Sequence, residues 1–147
     1  MAGYNLMTML RPEDFEYITS KEFLKNVKSS KILKCVVIKN DEEIISEKQK
    51  YASIMQDIWR IMTPDEILYN TQLTIVDVTN NYKNIDITKK TPTGTKHYQM
   101  IKSNPNLYFR NKSARPTMEE ILHLCKIKNY TIKITIKKNE KLFSYKQ

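Results

Sequence analysis

Glycine is nearly missing from this chain: there are two in 147 residues, Gly3 and Gly94, far apart. A glycine-rich phosphate cradle needs several glycines close together, so that backbone N–H groups can approach the anion. Nucleotide sites of that class are excluded. Cysteine and histidine are as scarce, at two each. Structural zinc needs clustered Cys and His ligands. Cys35, His97, His123 and Cys125 are scattered, and the spacing His123-Leu124-Cys125 sends the side chains apart on a helix. No metal and no other cofactor is expected. Cys35, inside the apolar run Lys34-Cys35-Val36-Val37-Ile38, and Cys125, on the apolar side of an expected helix, read as small buried hydrophobes.

Long apolar runs are also lacking. Nothing approaches the about 20 residues needed to cross a bilayer, so no membrane partner is expected. Met1-Ala2-Gly3-Tyr4-Asn5-Leu6-Met7 has no basic stretch followed by an apolar one, so no secretory signal is read there. The expectation is a cytoplasmic protein, or a nuclear one in a eukaryotic host, and not a secreted one. Lysine, isoleucine, asparagine and tyrosine are heavily used, as in an AT-rich viral or mobile-element genome.

Catalytic patterns fail in turn. A metal-dependent nuclease is the least remote enzyme class, because it would combine acids with a basic surface. Pro64-Asp65 could open its motif, which then needs an acid two residues before a lysine. Asp77 is followed by Val78-Thr79 and Asp86 by Ile87-Thr88, so the motif fails. Nothing local builds a nucleophile–histidine–acid set on His97 or His123. A non-enzymatic protein is expected.

The most informative absence is of negative charge. Between Asp86 and Glu119 there is no acidic residue. The net charge is +9, and it is lopsided. Residues 1–70 carry 10 Lys/Arg against 11 Asp/Glu, a net −1, while residues 71–147 carry 15 against 5, a net +10. Such asymmetry bears on partners rather than on fold. It points to nucleic acid or to an acidic protein surface.

The apolar pattern gives the fold expectation: α+β, a single domain over 1–147 with a weak internal boundary near residue 70. The N-terminal part reads as mainly helical. A helical turn starts at Pro12-Glu13-Asp14, and a short helix is capped by Thr19 with Glu22. Lys31 to Lys39 reads as a strand buried on both faces. A long helix is expected over roughly 41–62, with Ile44, Tyr51, Met55, Ile58 and Met62 as its apolar stripe, widened by Ile45, Ala52 and Trp59. Another short helix starts at Thr63-Pro64-Asp65-Glu66. A three-strand antiparallel meander then follows, over 73–78, 84–88 and 95–102, with a turn at Thr91-Pro92-Thr93-Gly94. Residues 103–114 read as a loop. A helix capped by Thr117 and Glu120 runs to about Lys128. A C-terminal hairpin closes the chain: Tyr130, Ile132, Ile134 and Ile136 alternate with Thr131, Lys133, Thr135 and Lys137, and a turn at Asn139-Glu140 leads into Leu142–Tyr145.

These features together lead to the expectation of a nucleic-acid or nucleoprotein binder, for RNA or DNA, using a basic surface that contains aromatics. Its candidate residues are Lys89, Lys90, Lys96, His97, Tyr98, Lys102, Tyr108, Phe109, Arg110, Lys112 and Arg115, joined by Lys133 and Lys137 on the last long strand. Cations neutralise phosphates, and aromatic rings stack on unpaired bases. The alternative expectation is a protein-interaction subunit or inhibitor. It would dock on a larger machine through Met55, Trp59 and Met62 together with the basic face.

Overall fold

The computed structural model describes residues 16–46 and 48–147. The helical turn expected at Pro12-Glu13-Asp14 lies outside them. In chain order the elements are α1 (Ser20–Lys25), β1 (Lys31–Lys39), β2 (Glu42–Ser46), α2 (Tyr51–Arg60), α3 (Pro64–Asn70), β3 (Ile75–Asp77), β4 (Tyr98–Ile101), β5 (Asn104–Arg110), α4 (Ala114–Ile127), β6 (Thr131–Lys138) and β7 (Lys141–Lys146). The fold is α+β. One antiparallel sheet has the order β2-β1-β6-β7 and a second has the order β3-β5-β4. Among the described residues no helix is long and apolar enough to cross a membrane.

Helices separate the two sheets. Ile132, Ile134 and Ile136 of β6 pair with Val37, Cys35 and Ile32 of β1, so they share one face, and all six are buried. That face meets α1 and α4: Phe23 stacks on Tyr145 with ring centroids 5.4 Å apart. Helix α4 packs on α2. Helix α2 in turn meets the second sheet, where Trp59 lies 4.9 Å from Phe109. One buried cluster draws residues from both sides of residue 70, so the shift in composition there does not divide the core.

Three segments depart from the sequence expectation. The helix expected over 41–62 is a hairpin strand followed by a shorter helix. Asn40 and Asp41 both take positive φ, 50° and 63°, which is the two-residue turn that joins twisted strands. The strand expected over 84–88 is irregular, because its polar residues bond locally. Asn81 holds both the N–H and the C=O of Ile85, and the Asp86 carboxylate accepts from the N–H and hydroxyl of Thr88. The loop expected over 103–114 contains β5, the central strand of the second sheet. Its Pro105 falls where the β4–β5 register jumps, so no ladder bond is lost to proline. The second sheet therefore has three antiparallel strands as expected, but its middle strand comes last in sequence.

The caps divide in the same way. Thr63 and Glu66 form the reciprocal capping box of α3. Thr117 and Glu120 do not cap α4, which starts earlier with Ser113 as N-cap. The Thr117 hydroxyl donates to the Ser113 carbonyl, and Glu120 is buried and accepts the Leu73 N–H at 2.6 Å. Burial pushes the Glu120 carboxyl up. His123 Nε2 donates to the Asn70 carbonyl at 2.9 Å. Helix α4 thus holds the Asn70–Leu73 segment that leads into β3.

Glu66 also bonds Lys128, tying α3 to the end of α4. The Lys128 ammonium and the Thr63 backbone N–H hold its carboxyl at about 2, below the ordinary 4.5. A carboxyl depressed by folding adds stability that is present above the unfolded-state value and lost as pH falls through the folded one. Urea denaturation should therefore show stability falling as the pH drops from near 4.5 towards 2. Glu66→Gln should flatten that limb, and an unchanged slope would remove this pair from the account.

Candidate functional site

The register of the second sheet decides which side chains reach solvent. Residues paired across antiparallel strands share a face. Ile75 and Phe109 pair, as do Asp77 and Leu107, and Phe109 and Leu107 turn inward to the helices. The other face therefore carries Tyr98 opposite Arg110, and Met100 opposite Tyr108. Sequence alternation along two short strands thus brings two tyrosines, a methionine and an arginine to the outer face.

A connection between β3 and β4 supplies a wall beside that face. It is held by the Asn81 and Asp86 turns, by His97 N–H donating to the Lys89 carbonyl at 2.9 Å, and by a Lys90–Lys96 bridge. Its tip is the expected turn: Gly94 N–H donates to the Thr91 carbonyl at 2.9 Å, and Gly94 has a φ of 91°, a region that favours glycine. Between wall and sheet lies an open cleft of about 620 Å³. Ile87, Thr88, Lys90 and Lys96 line it from the connection, and Tyr98, Gln99, Met100, Lys102 and Tyr108 from the sheet. Gln56 of α2 lines it as well.

Five residues nominated from sequence, Lys90, Lys96, Tyr98, Lys102 and Tyr108, thus meet in one cleft. Among the described residues no carboxylate lines it. The nearby Asp86 carboxylate is engaged by Thr88, whose bonds hold it below its ordinary value. Among the described residues, none of the side chains lining the cleft beside the three ammonium groups is a carboxylate.

A second, smaller pocket shares Lys96. It measures about 320 Å³ and is lined by Thr91, Thr95, Lys96, His97, Arg110, Asn111, Lys112 and Ser113. Arg110 is held from two sides there. One guanidinium nitrogen donates to His97 Nδ1 at 2.7 Å, and its carbon lies 5.4 Å from the centre of the Tyr98 ring. Desolvation, with Arg110 and Lys89 close by, lowers the His97 pKa. The shift favours the neutral ring, whose Nδ1 accepts from Arg110. Lys89, on the same connection, is exposed.

The remaining nominated residues fall elsewhere. Phe109 is 1% exposed and packs on Trp59, so it is a core residue and no platform for a base. Arg115 spends its charge on Glu119, one helical turn away at 3.2 Å. Lys133 and Lys137 stand half-buried on the face of the first sheet that points away from the helices, hence away from the cleft. Lys137 also pairs with Glu140 at 3.2 Å. The docking anchor Met55, Trp59 and Met62 is buried, at 0%, 0% and 5% exposure. A partner could reach it only by opening the core.

With Ile87, Thr88, Gln99 and Met100, Gln56 is one of the lining residues that the sequence did not reveal. Its amide donates to the Met100 carbonyl and accepts the Lys102 N–H, both at 3.0 Å, so it braces the turn that presents Lys102. A neutral polar residue 44 positions upstream carries no local sign of this contact.

The two histidines engage Arg110 and the Asn70 carbonyl, and the Asp77 and Asp86 carboxylates engage Thr79 and Thr88. Cys35 and Cys125 are free and buried; burial pushes both thiols up, Cys125 to about 12. Among the described residues no group of three or more His, Cys, Asp or Glu is arranged to hold a metal ion. Set against known protein families, curated proteins and solved structures, the chain matches none.

Proposed function

We propose that the chain binds single-stranded nucleic acid in the cleft on the outer face of the second sheet. The observation that supports this most is the convergence of Lys90, Lys96 and Lys102 with Tyr98 and Tyr108, in a cleft that no carboxylate of the described residues lines. Backbone phosphates would take the ammonium groups, releasing counterions. Unpaired bases would stack on the tyrosines, at about 1–3 kcal/mol each. A duplex hides its base faces and gains nothing from those rings. Lysine outnumbers arginine in the cleft, which favours backbone attraction over reading of base edges.

Fluorescence anisotropy with a labelled single-stranded oligonucleotide tests the proposal. If about four phosphates are neutralised, the log–log salt slope should be about −3, a loss of roughly 50-fold between about 50 and 200 mM salt. The same sequence as a duplex should bind more weakly. No binding at low salt would reject the proposal. Duplex binding as tight as single-strand binding would reject the role given to the tyrosines.

A further inference from the structure

The small pocket beside the cleft has features that general basicity does not explain. Arginine side chains on a surface ordinarily sample many rotamers, and ordering one costs entropy. Arg110 is already ordered. His97 accepts from one nitrogen at 2.7 Å, and the guanidinium carbon lies 5.4 Å from the centre of the Tyr98 ring. A neutral imidazole used as an acceptor adds no positive charge against the guanidinium, yet fixes its direction. Lys96 and Lys112 flank it, Thr95 adds a hydroxyl-bearing side chain, and among the described residues no carboxylate lines the pocket. A planar fork held in place, with two ammonium groups and no internal anion, has the chemistry of an oxyanion receptor.

We infer that this pocket is a phosphate-binding subsite, with Arg110 as the group that contacts the phosphate and His97 as the residue that positions Arg110. Lys96 lines both this pocket and the cleft, so a strand seated on the tyrosines would bring a backbone phosphate to Arg110. The source given to that phosphate rests on the function proposed above; the anion chemistry of the pocket does not.

Nuclear magnetic resonance on the ¹⁵N-labelled wild-type protein separates the two. Inorganic phosphate and a thymidine decamer without terminal phosphate are titrated separately. The Arg110 Nε–H signal and the Thr95 amide should move with both ligands, and Tyr108 with the decamer alone. Arg110→Gln should weaken decamer binding about tenfold, and Arg110→Lys should restore only part of it, because an ammonium keeps charge without the fork. If phosphate moves Arg110 and the decamer binds nowhere, the subsite stands and its assignment to nucleic acid falls. If the decamer moves Tyr108 while both ligands leave Arg110 still, the subsite is overturned and the nucleic-acid proposal survives. Wild-type affinity in Arg110→Lys would also overturn it, since charge alone would then suffice. Should Arg110→Gln fail to fold, the wild-type titrations still decide.

Discussion

Trp59→Ala should destabilise the protein by about 3–5 kcal/mol, the usual cost of deleting a large aromatic side chain from a core. Trp59 has no exposed surface, its ring lies 4.9 Å from Phe109, and its indole N–H donates to the Thr71 hydroxyl at 3.1 Å. The change would open a cavity between α2 and β5 and leave that hydroxyl without its donor. For a domain whose total stability is of order 5–15 kcal/mol, this is a large share. The melting temperature should drop by roughly 10–20 °C. Trp59→Phe should recover part of the loss, because it fills some of the space but cannot donate to Thr71. Had Trp59 been a docking anchor, alanine would leave the melting temperature unchanged and remove a partner instead. Thermal and urea denaturation distinguish these outcomes.

Reversing Lys90, Lys96 and Lys102 to glutamate should cut single-strand affinity by about 100-fold or more and reduce the salt slope by about 2. All three line the cleft, and among the described residues no acid lines it with them. A matched control reverses Lys31, Lys133 and Lys141 on the first sheet, for the same change in net charge. At physiological ionic strength charge is screened over about 8 Å, so reversals beyond the helix layer should cost less than about fivefold. Equal losses in both sets would mean that overall charge, not the cleft, drives binding. The cleft lysines are exposed, as are Lys31 and Lys141, while Lys133 is half-buried, so circular dichroism checks that both triple variants are folded before affinities are compared.

The parts of the fold that were legible in sequence have one local signature and no competing one. β1 spans Lys31 to Lys39 as read, because a nearly continuous apolar run sits between charged ends. The hairpin of β6 and β7 was legible because alternation flanks Asn139-Glu140, whose φ values of 51° and 63° form the expected turn. Asn40-Asp41 makes a turn of the same kind, at the point where the expected helix over 41–62 would begin. Ile44 and Ile45 lie in phase with Tyr51, Met55 and Ile58, so helical spacing runs on through what is a strand.

The site was half legible for a related reason. Charge and aromatic content mark a segment, but only register shows which members share a face. Phe109 and Tyr108 are neighbours in sequence and point to opposite sides of β5. Lys133 and Lys137 look equivalent to Lys96 in sequence and lie across the helix layer from it. The irregular connection over 81–97 forms the wall of the cleft through side-chain turns at Asn81 and Asp86, which no periodicity announces.

Photochemical crosslinking of a uridine- or thymidine-containing single strand to the wild-type protein, read by mass spectrometry, tests the central claim most directly. Saturable adducts should fall on Tyr98 or Tyr108 and disappear as salt is raised. Adducts confined to the far face of the first sheet, around Lys133, would contradict the claim, as would adducts that never saturate.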